Sequence, residues 1–285
     1  MGHEVGNEGL MTDNALVGKR AIVVGGGSGI GLGSARLLAR DCATVTIVGR
    51  TEQKLSDAQT QLAGEGIEVQ YTACDGLDGA SVKAAVDFAS DDEGRLHLAV
   101  VVPGGGSIKP VLLFDDDEFS QQVDLNVRPV FLMLKYAGHA MLRAGEGSFV
   151  AISSTAAVFS GRYLASYCAG KAAVDHLVRV AADELGQYGI RVNSVQPGMT
   201  HTPATDAAFA NPAMMAAFRA QQAIDRGGEV DDIAQAVRYF AGPESSWTTG
   251  QCLTVDGGNT LRAFIDYEQL IPIPDQRAVI LGERE

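Results

Sequence analysis

The sequence predicts an α/β fold: one domain built on a doubly wound parallel sheet, with a small helical lid over the substrate side. Three observations lead there. Short β-branched runs alternate with longer helical stretches along almost the whole chain. Those runs are apolar nearly throughout rather than at every second residue, the pattern of strands covered on both faces. A cluster of glycines sits between the first run and the first helical stretch. No repeat, low-complexity linker or shift in composition divides the 285 residues, so they read as one domain.

Residues 1–15 lack a basic start followed by an apolar core, so they are expected to be a loose tail and not a signal peptide. The domain proper is expected over 16–260. Its strands are "AIVV" (21–24), "TVTIV" (44–48), "IEVQYT" (67–72), "LHLAVVV" (96–102), "SFVAIS" (148–153), "IRVNSV" (190–195) and "CLTV" (252–255). Helices fall between them near 30–40, 51–63, 78–90, 116–143, 163–188 and 229–241, which implies right-handed crossovers. Residues 203–228, rich in Ala, Met and Phe, interrupt the alternation as the lid, suited to covering an apolar ligand. The extension 261–285 carries too much Ile, Leu and Val for a free tail. Its prolines Pro272 and Pro274 favour an extended path, reaching across a neighbouring subunit.

A net charge of −13 argues against a nucleic-acid or anionic-membrane surface. No apolar run approaches the roughly 18 residues of a membrane span. Cys42, Cys74, Cys168 and Cys252 are far apart, which excludes a disulfide framework and fits a reducing cytoplasm. The five histidines are equally scattered, so no metal is expected.

The glycine cluster reads "GGGSGIG", Gly25 to Gly31, and opens a helix. Glycines let the main chain turn sharply and approach a pyrophosphate, while a helix N-terminus offers unpaired N–H groups. Gly25, Ser28, Gly29, Ile30 and Gly31 are therefore candidate cofactor contacts. Their spacing resembles the TGxxxGxG fingerprint of the short-chain dehydrogenase/reductase family, with Val24 in place of threonine. Further marks follow in order over about 18–258: "TACDGLD", "NVRPVF", "ISS", "YCAGK", "PGMTHTP" and "TGQCLTVDGG". The resemblance, to a 3-oxoacyl-reductase-like member, implies a Rossmann fold that moves a hydride between a nicotinamide cofactor and a ketone or secondary alcohol. It implies cofactor contacts at Asp75, Gly104, Pro197, Gly198 and Thr202, and a catalytic set of Asn126, Ser154, Tyr167 and Lys171. Tyr167 and Lys171 also touch the cofactor. One segment departs: "VVPG", Val101 to Gly104, stands where the family has NNAG, whose asparagines stitch the central sheet by hydrogen bonds.

An acidic residue ending the second strand would bind the ribose diol of NAD(H) and repel a 2′-phosphate. Here Gly49 holds that place and Arg50 follows, a guanidinium able to clamp a phosphate. Ser28, where many NADP-using relatives carry a second basic residue, points the other way. NADP(H) is favoured and NAD(H) remains open.

Tyr167 and Lys171 are four residues apart and share one helix face. A free phenol titrates near 10, and a neighbouring cation favours phenolate, so Lys171 is expected to lower the pKa of Tyr167. The tuned phenol then exchanges a proton with the substrate oxygen. Ser154 would hold that oxygen; Ser153 competes, but strand alternation and family spacing favour Ser154. Asn126 would hold a water beside Lys171, and Pro129, unable to donate to Leu125, predicts a kink there. Two readings stand: a carbonyl reductase or alcohol dehydrogenase acting on a small molecule, and an idle nucleotide-binding sensor or scaffold, supported by the altered NNAG segment. A homotetramer is expected from apolar residues read as surplus to one sheet face, among them Ala137, Met141, Val174 and Val178.

Overall fold

The computed structural model describes residues 14–282; the expected tail therefore lies almost wholly outside the described residues. The chain runs β1 (Arg20–Val24), α1 (Gly29–Arg40), β2 (Thr44–Gly49), α2 (Glu52–Gly64), β3 (Gln70–Ala73), α3 (Gly79–Ala89) and β4 (Leu98–Val101). It continues through α4 (Asp116–Ala144), β5 (Gly147–Ile152), α5 (Ala165–Gly186), β6 (Ile190–Pro197), α6 (Asp206–Phe209) and α7 (Pro212–Ala220). It ends with α8 (Val230–Ala241), β7 (Cys252–Val255) and α9 (Gln276–Ile280). All seven strands are parallel, in the order β3-β2-β1-β4-β5-β6-β7. The order reverses between β1 and β4, which opens a crevice beyond the carboxyl ends of those strands.

The unbroken apolar runs are explained by two cores. Ile22 faces one, built with α3, α4 and α5, while Ala21 and Val23 face the other, built with α1, α2 and α8. A strand flanked by helices on both sides has no solvent face to give to polar residues. β3 starts at Gln70, later than its sequence suggests; Ile67 and Val69 are buried ahead of the strand.

One expectation about the long helices changes. Ala137, Met141, Val174 and Val178 are not surplus: all four are buried between α4, α5 and their own sheet. The apolar side chains left outside are others, including Phe131 and Leu142 on α4 and Val180 on α5. Pro129 lies inside α4 and is buried, three residues past Asn126, and the helix continues through it over all 29 residues.

The lid region folds as α6 and α7. Asn211 caps α7, its side chain accepting from the N–H groups of Ala213 and Met214, and Pro212 occupies the first turn, where a missing N–H costs nothing. The extension packs back on its own chain. Beyond a turn at Tyr267–Gln269 it runs irregularly through Pro272 and Pro274 into α9, lying back over the lid. Phe264, Ile265, Leu270 and Ile271 find cover within the chain, while Leu261, Ile280 and Leu281 stay exposed.

Candidate active site

Backbone geometry builds the cofactor side. Gly25 has φ +77°, and a Cβ on Gly31 would lie 2.2 Å from the Gly25 carbonyl oxygen. Neither position tolerates a side chain, so the loop closes tightly onto the start of α1. Ser28 is the N-cap of α1, yet its side chain makes no capping bond, which leaves the first N–H groups of the helix uncapped by it. Thr202 leans over Gly29, whose added Cβ would sit 3.3 Å from the threonine Cβ. The Thr202 N–H donates to Thr205 Oγ1 (2.9 Å), which donates to the Thr200 carbonyl (2.6 Å). Pro197 ends β6, and Gly198 allows Asp256 to pass within 2.7 Å of where a Cβ would be.

A cleft of about 260 Å³ continues from this loop, lined by Gly25, Ser28, Arg50, Asp75 and Gly104, with Pro129 at its far side. The Asp75 carboxylate accepts from the Leu77 N–H (3.0 Å) and is otherwise exposed. Arg50 is exposed and makes no ion pair or side-chain hydrogen bond among the described residues. Lys54, one helical turn along, lines the same cleft, a second cation that the sequence reading passed over. The loop, the open helix N-terminus and the cations fit a nicotinamide dinucleotide: Gly25 to Gly31 could hold its pyrophosphate, and Arg50, Lys54 and Asp75 its adenosine end. A larger cavity, about 570 Å³, opens where β4, β5 and β6 begin, at the opposite edge of the sheet. It holds none of the expected site residues.

The catalytic side depends on burial. Lys171 is 2% exposed, and its Nζ donates to the carbonyls of Pro103 (3.1 Å) and Ile152 (3.0 Å). Burial pushes its pKa down to about 7, against the pull of Asp175. Asp175, one turn further along α5, is itself buried and accepts from Ser194 Oγ (2.7 Å) and Gln196 Nε2 (2.6 Å). The Lys171 Nζ stands 5.5 Å from the centroid of the Tyr167 ring. Contrary to the expectation from their spacing, the Tyr167 phenol is held above its ordinary value: burial raises it, and the hydrogen-bonded Ser154 hydroxyl opposes this. The reason is that a phenolate loses its water here, while Lys171 spends its donors on main-chain carbonyls and is itself easily neutralised.

Ser153 and Ser154 separate cleanly. The Ser153 hydroxyl is buried and donates to the Lys171 carbonyl (3.3 Å), whereas Ser154 caps the turn after β5 and reaches Tyr167. Asn126 donates from Nδ2 to the carbonyls of Gly105 (2.9 Å) and Gln122 (3.0 Å). Its buried Oδ1 has no hydrogen-bond partner among the described residues. Gly104, at φ +104°, lies between that oxygen and Lys171: a Cβ there would sit 2.1 Å from Oδ1 and 3.4 Å from Nζ. The VVPG segment is anchored without asparagines. Val101 joins the core, the Val102 N–H donates to the Val24 carbonyl (3.2 Å), and Pro103 supplies one of the two carbonyls that hold Lys171.

A family model described as enoyl-(acyl carrier protein) reductase matches residues 25–260. The chain is 34% identical over 257 residues to the A-factor type gamma-butyrolactone 1'-reductase (1S-forming) of Streptomyces virginiae, covering 89% of this chain and 98% of that one. A short-chain type dehydrogenase/reductase from Mycobacterium ulcerans superposes with a TM-score of 0.86 at 37% identity, over 90% of this chain and 94% of the other. A 7 alpha-hydroxysteroid dehydrogenase complexed with NADH and 7-oxo glycochenodeoxycholic acid superposes with a TM-score of 0.81 at 32% identity, over 86% and 96%. Fold, glycine loop and these likenesses agree: the chain belongs to the short-chain dehydrogenase/reductase family, nicotinamide-dependent oxidoreductases acting on alcohols and ketones.

Proposed function

We propose that this enzyme interconverts a bulky, apolar, ring-bearing ketone and its secondary alcohol, with NADP(H) preferred to NAD(H). The observation that carries this reading is the gathering of Ser154, Tyr167 and Lys171 beside an apolar cover in which Met214 and Phe218 of α7 pack with Met199. Such a cover excludes water from the reacting oxygen and rewards apolar bulk. Relatives that reduce a butyrolactone-type substrate or hold a steroid ketone support the ring-bearing class.

In this reading the Ser154 hydroxyl holds the substrate oxygen, and Tyr167 gives it a proton or takes one away. When bound, the nicotinamide supplies or accepts the hydride. Lys171 passes charge between Tyr167 and the polar pocket of Asn126, whose free Oδ1 accepts the next donor in line. Phosphate selectivity rests on Arg50 and Lys54. The exposed Phe131, Leu142 and Val180 support a homotetramer, which light scattering reads directly as a multiple of the 29.9 kDa chain. No helix among the described residues is long and apolar enough to cross a membrane. With the unpaired cysteines, this supports a cytoplasmic enzyme.

The test is a panel of steroid-like, small alicyclic, aromatic and 3-oxoacyl ketones, each with NADPH and NADH, followed at the reduced nicotinamide band. Ring ketones with NADPH are expected to give the highest kcat/KM. A clear preference for 3-oxoacyl chains would overturn the substrate class.

A further inference from the structure

The C-terminal extension packs on three neighbouring segments, one of which leads into Tyr167. Ile265 is buried against Met214 and Phe218 of α7, with Phe264, Tyr267, Leu270 and Ile271 packed around them. On a second side, the Phe264 ring lies 5.5 Å from Phe159, and a Cβ on Gly161 would come within 3.2 Å of it. Both residues lie in the short connection between Ser154 and Tyr167. On the third side, α9 packs on the turn Val111–Leu113, ahead of α4. Arg162 pairs with Glu268 on the outside, but those charges are half-exposed and contribute little; the apolar contacts hold the segment. Its root is fixed by Asn259, whose Nδ2 donates to the carbonyls of Gln221 (3.0 Å) and Ala263 (2.9 Å).

The segment thus bridges α7 and the Ser154–Tyr167 connection and borders Tyr167. Within it, Tyr267 is half-buried, its ring 6.2 Å from Phe264, and its hydroxyl has no hydrogen-bond partner among the described residues. It is near enough to Tyr167 and Cys168 for their ionised forms to repel it, a lesser effect beside its burial. A polar tip left unpaired in an apolar wall is how pockets orient a ligand.

We propose that residues 264–271 form the far wall of the substrate site, and that the Tyr267 hydroxyl hydrogen-bonds a second oxygen on the substrate, remote from the reacting carbonyl. Tyr267 is then a specificity-determining residue and Phe264 a positioning one. The idea rests on the ring-ketone reading above, but the cover itself is testable without any turnover. Cys168, adjacent to Tyr167, lies beneath the contact of Phe264 with Gly161, and Cys42 is exposed at a distance, a built-in reference.

In the full chain, Phe264→Ala is expected to raise the rate of Cys168 alkylation by iodoacetamide several-fold relative to Cys42, read by peptide mass spectrometry. A chain ending at Ala263 should do the same. An unchanged ratio in both would overturn the wall. Tyr267→Phe should lower kcat/KM about tenfold, through KM, for a diketone or hydroxyketone ring, the loss of one hydrogen bond. It should leave the same ring without its second oxygen unaffected. Equal losses on both substrates would remove the hydrogen bond from the proposal. If wild type reduces no ketone yet Cys168 remains shielded by this segment, the wall stands and the substrate reading falls.

Discussion

Arg50 and Lys54 stand in solvent at the mouth of the cofactor cleft, while Lys171, also a cation, sits in the core against two carbonyls. The cofactor side works through what is missing, glycine side chains and capping bonds, so its backbone can face a ligand. The catalytic side works through what is buried, and there Tyr167 and Lys171 have their proton affinities shifted. Groups of the same type therefore differ in how much a substitution should cost: large where water is excluded, small where charge is screened.

The largest effect is expected at Tyr167. Tyr167→Phe removes only the ionisable oxygen from a half-buried ring, so kcat should fall about 10²- to 10⁴-fold, the usual worth of a positioned acid–base group. Cofactor affinity, measured by nucleotide titration, should stay near wild type because the cleft at Gly25 to Gly31 is untouched. A simultaneous loss of both would mean the two sides are not separable in this way.

The sequence was informative where chemistry follows from backbone. An apolar run between helices had to be a two-faced strand, and Gly25 and Gly31 had to mark a close turn; both are found. It misled where side-chain burial decides. Helical spacing placed Lys171 beside Tyr167 correctly but not the sign of the phenol's shift, because spacing does not report that Nζ is committed to Pro103 and Ile152. Ala137 and Val178 looked surplus because the pattern along one helix cannot show how deep the α4–α5 pair sits on the sheet. Asp175 gave no signal at all, since its partners Ser194 and Gln196 are about twenty residues away on β6. The extension's apolar content announced that it needed cover, but not that α7 would provide it.

Lys171 allows the cost of burial to be read directly. Its pKa is about 7 in the folded chain and about 10.4 when unfolded. Between those values the unfolded chain holds a proton that the folded chain does not, so stability rises with pH over that window and the penalty is fully present below about pH 7. Lys171→Met removes the dependence. In cofactor-free protein, the stability difference between wild type and variant should move by about 2 kcal/mol in favour of wild type from pH 7 to 9. Urea unfolding at the two pH values measures it, and a flat difference would show that Lys171 keeps its proton when buried.

Arg50 should give the smallest change, because it is exposed. Arg50→Asp replaces a guanidinium that can clamp a 2′-phosphate with a carboxylate that repels it and can accept from a ribose diol. At an exposed site such a swap is worth little over 1 kcal/mol, so the NADP/NAD ratio of kcat/KM should shift about tenfold toward NAD. Lys54 remains in the cleft and limits the reversal. Screening supplies a further check: the shift should shrink as salt is raised, since the Debye length falls to roughly 3 Å near 1 M. A ratio indifferent to both the substitution and the salt would place phosphate selection elsewhere than this cleft mouth.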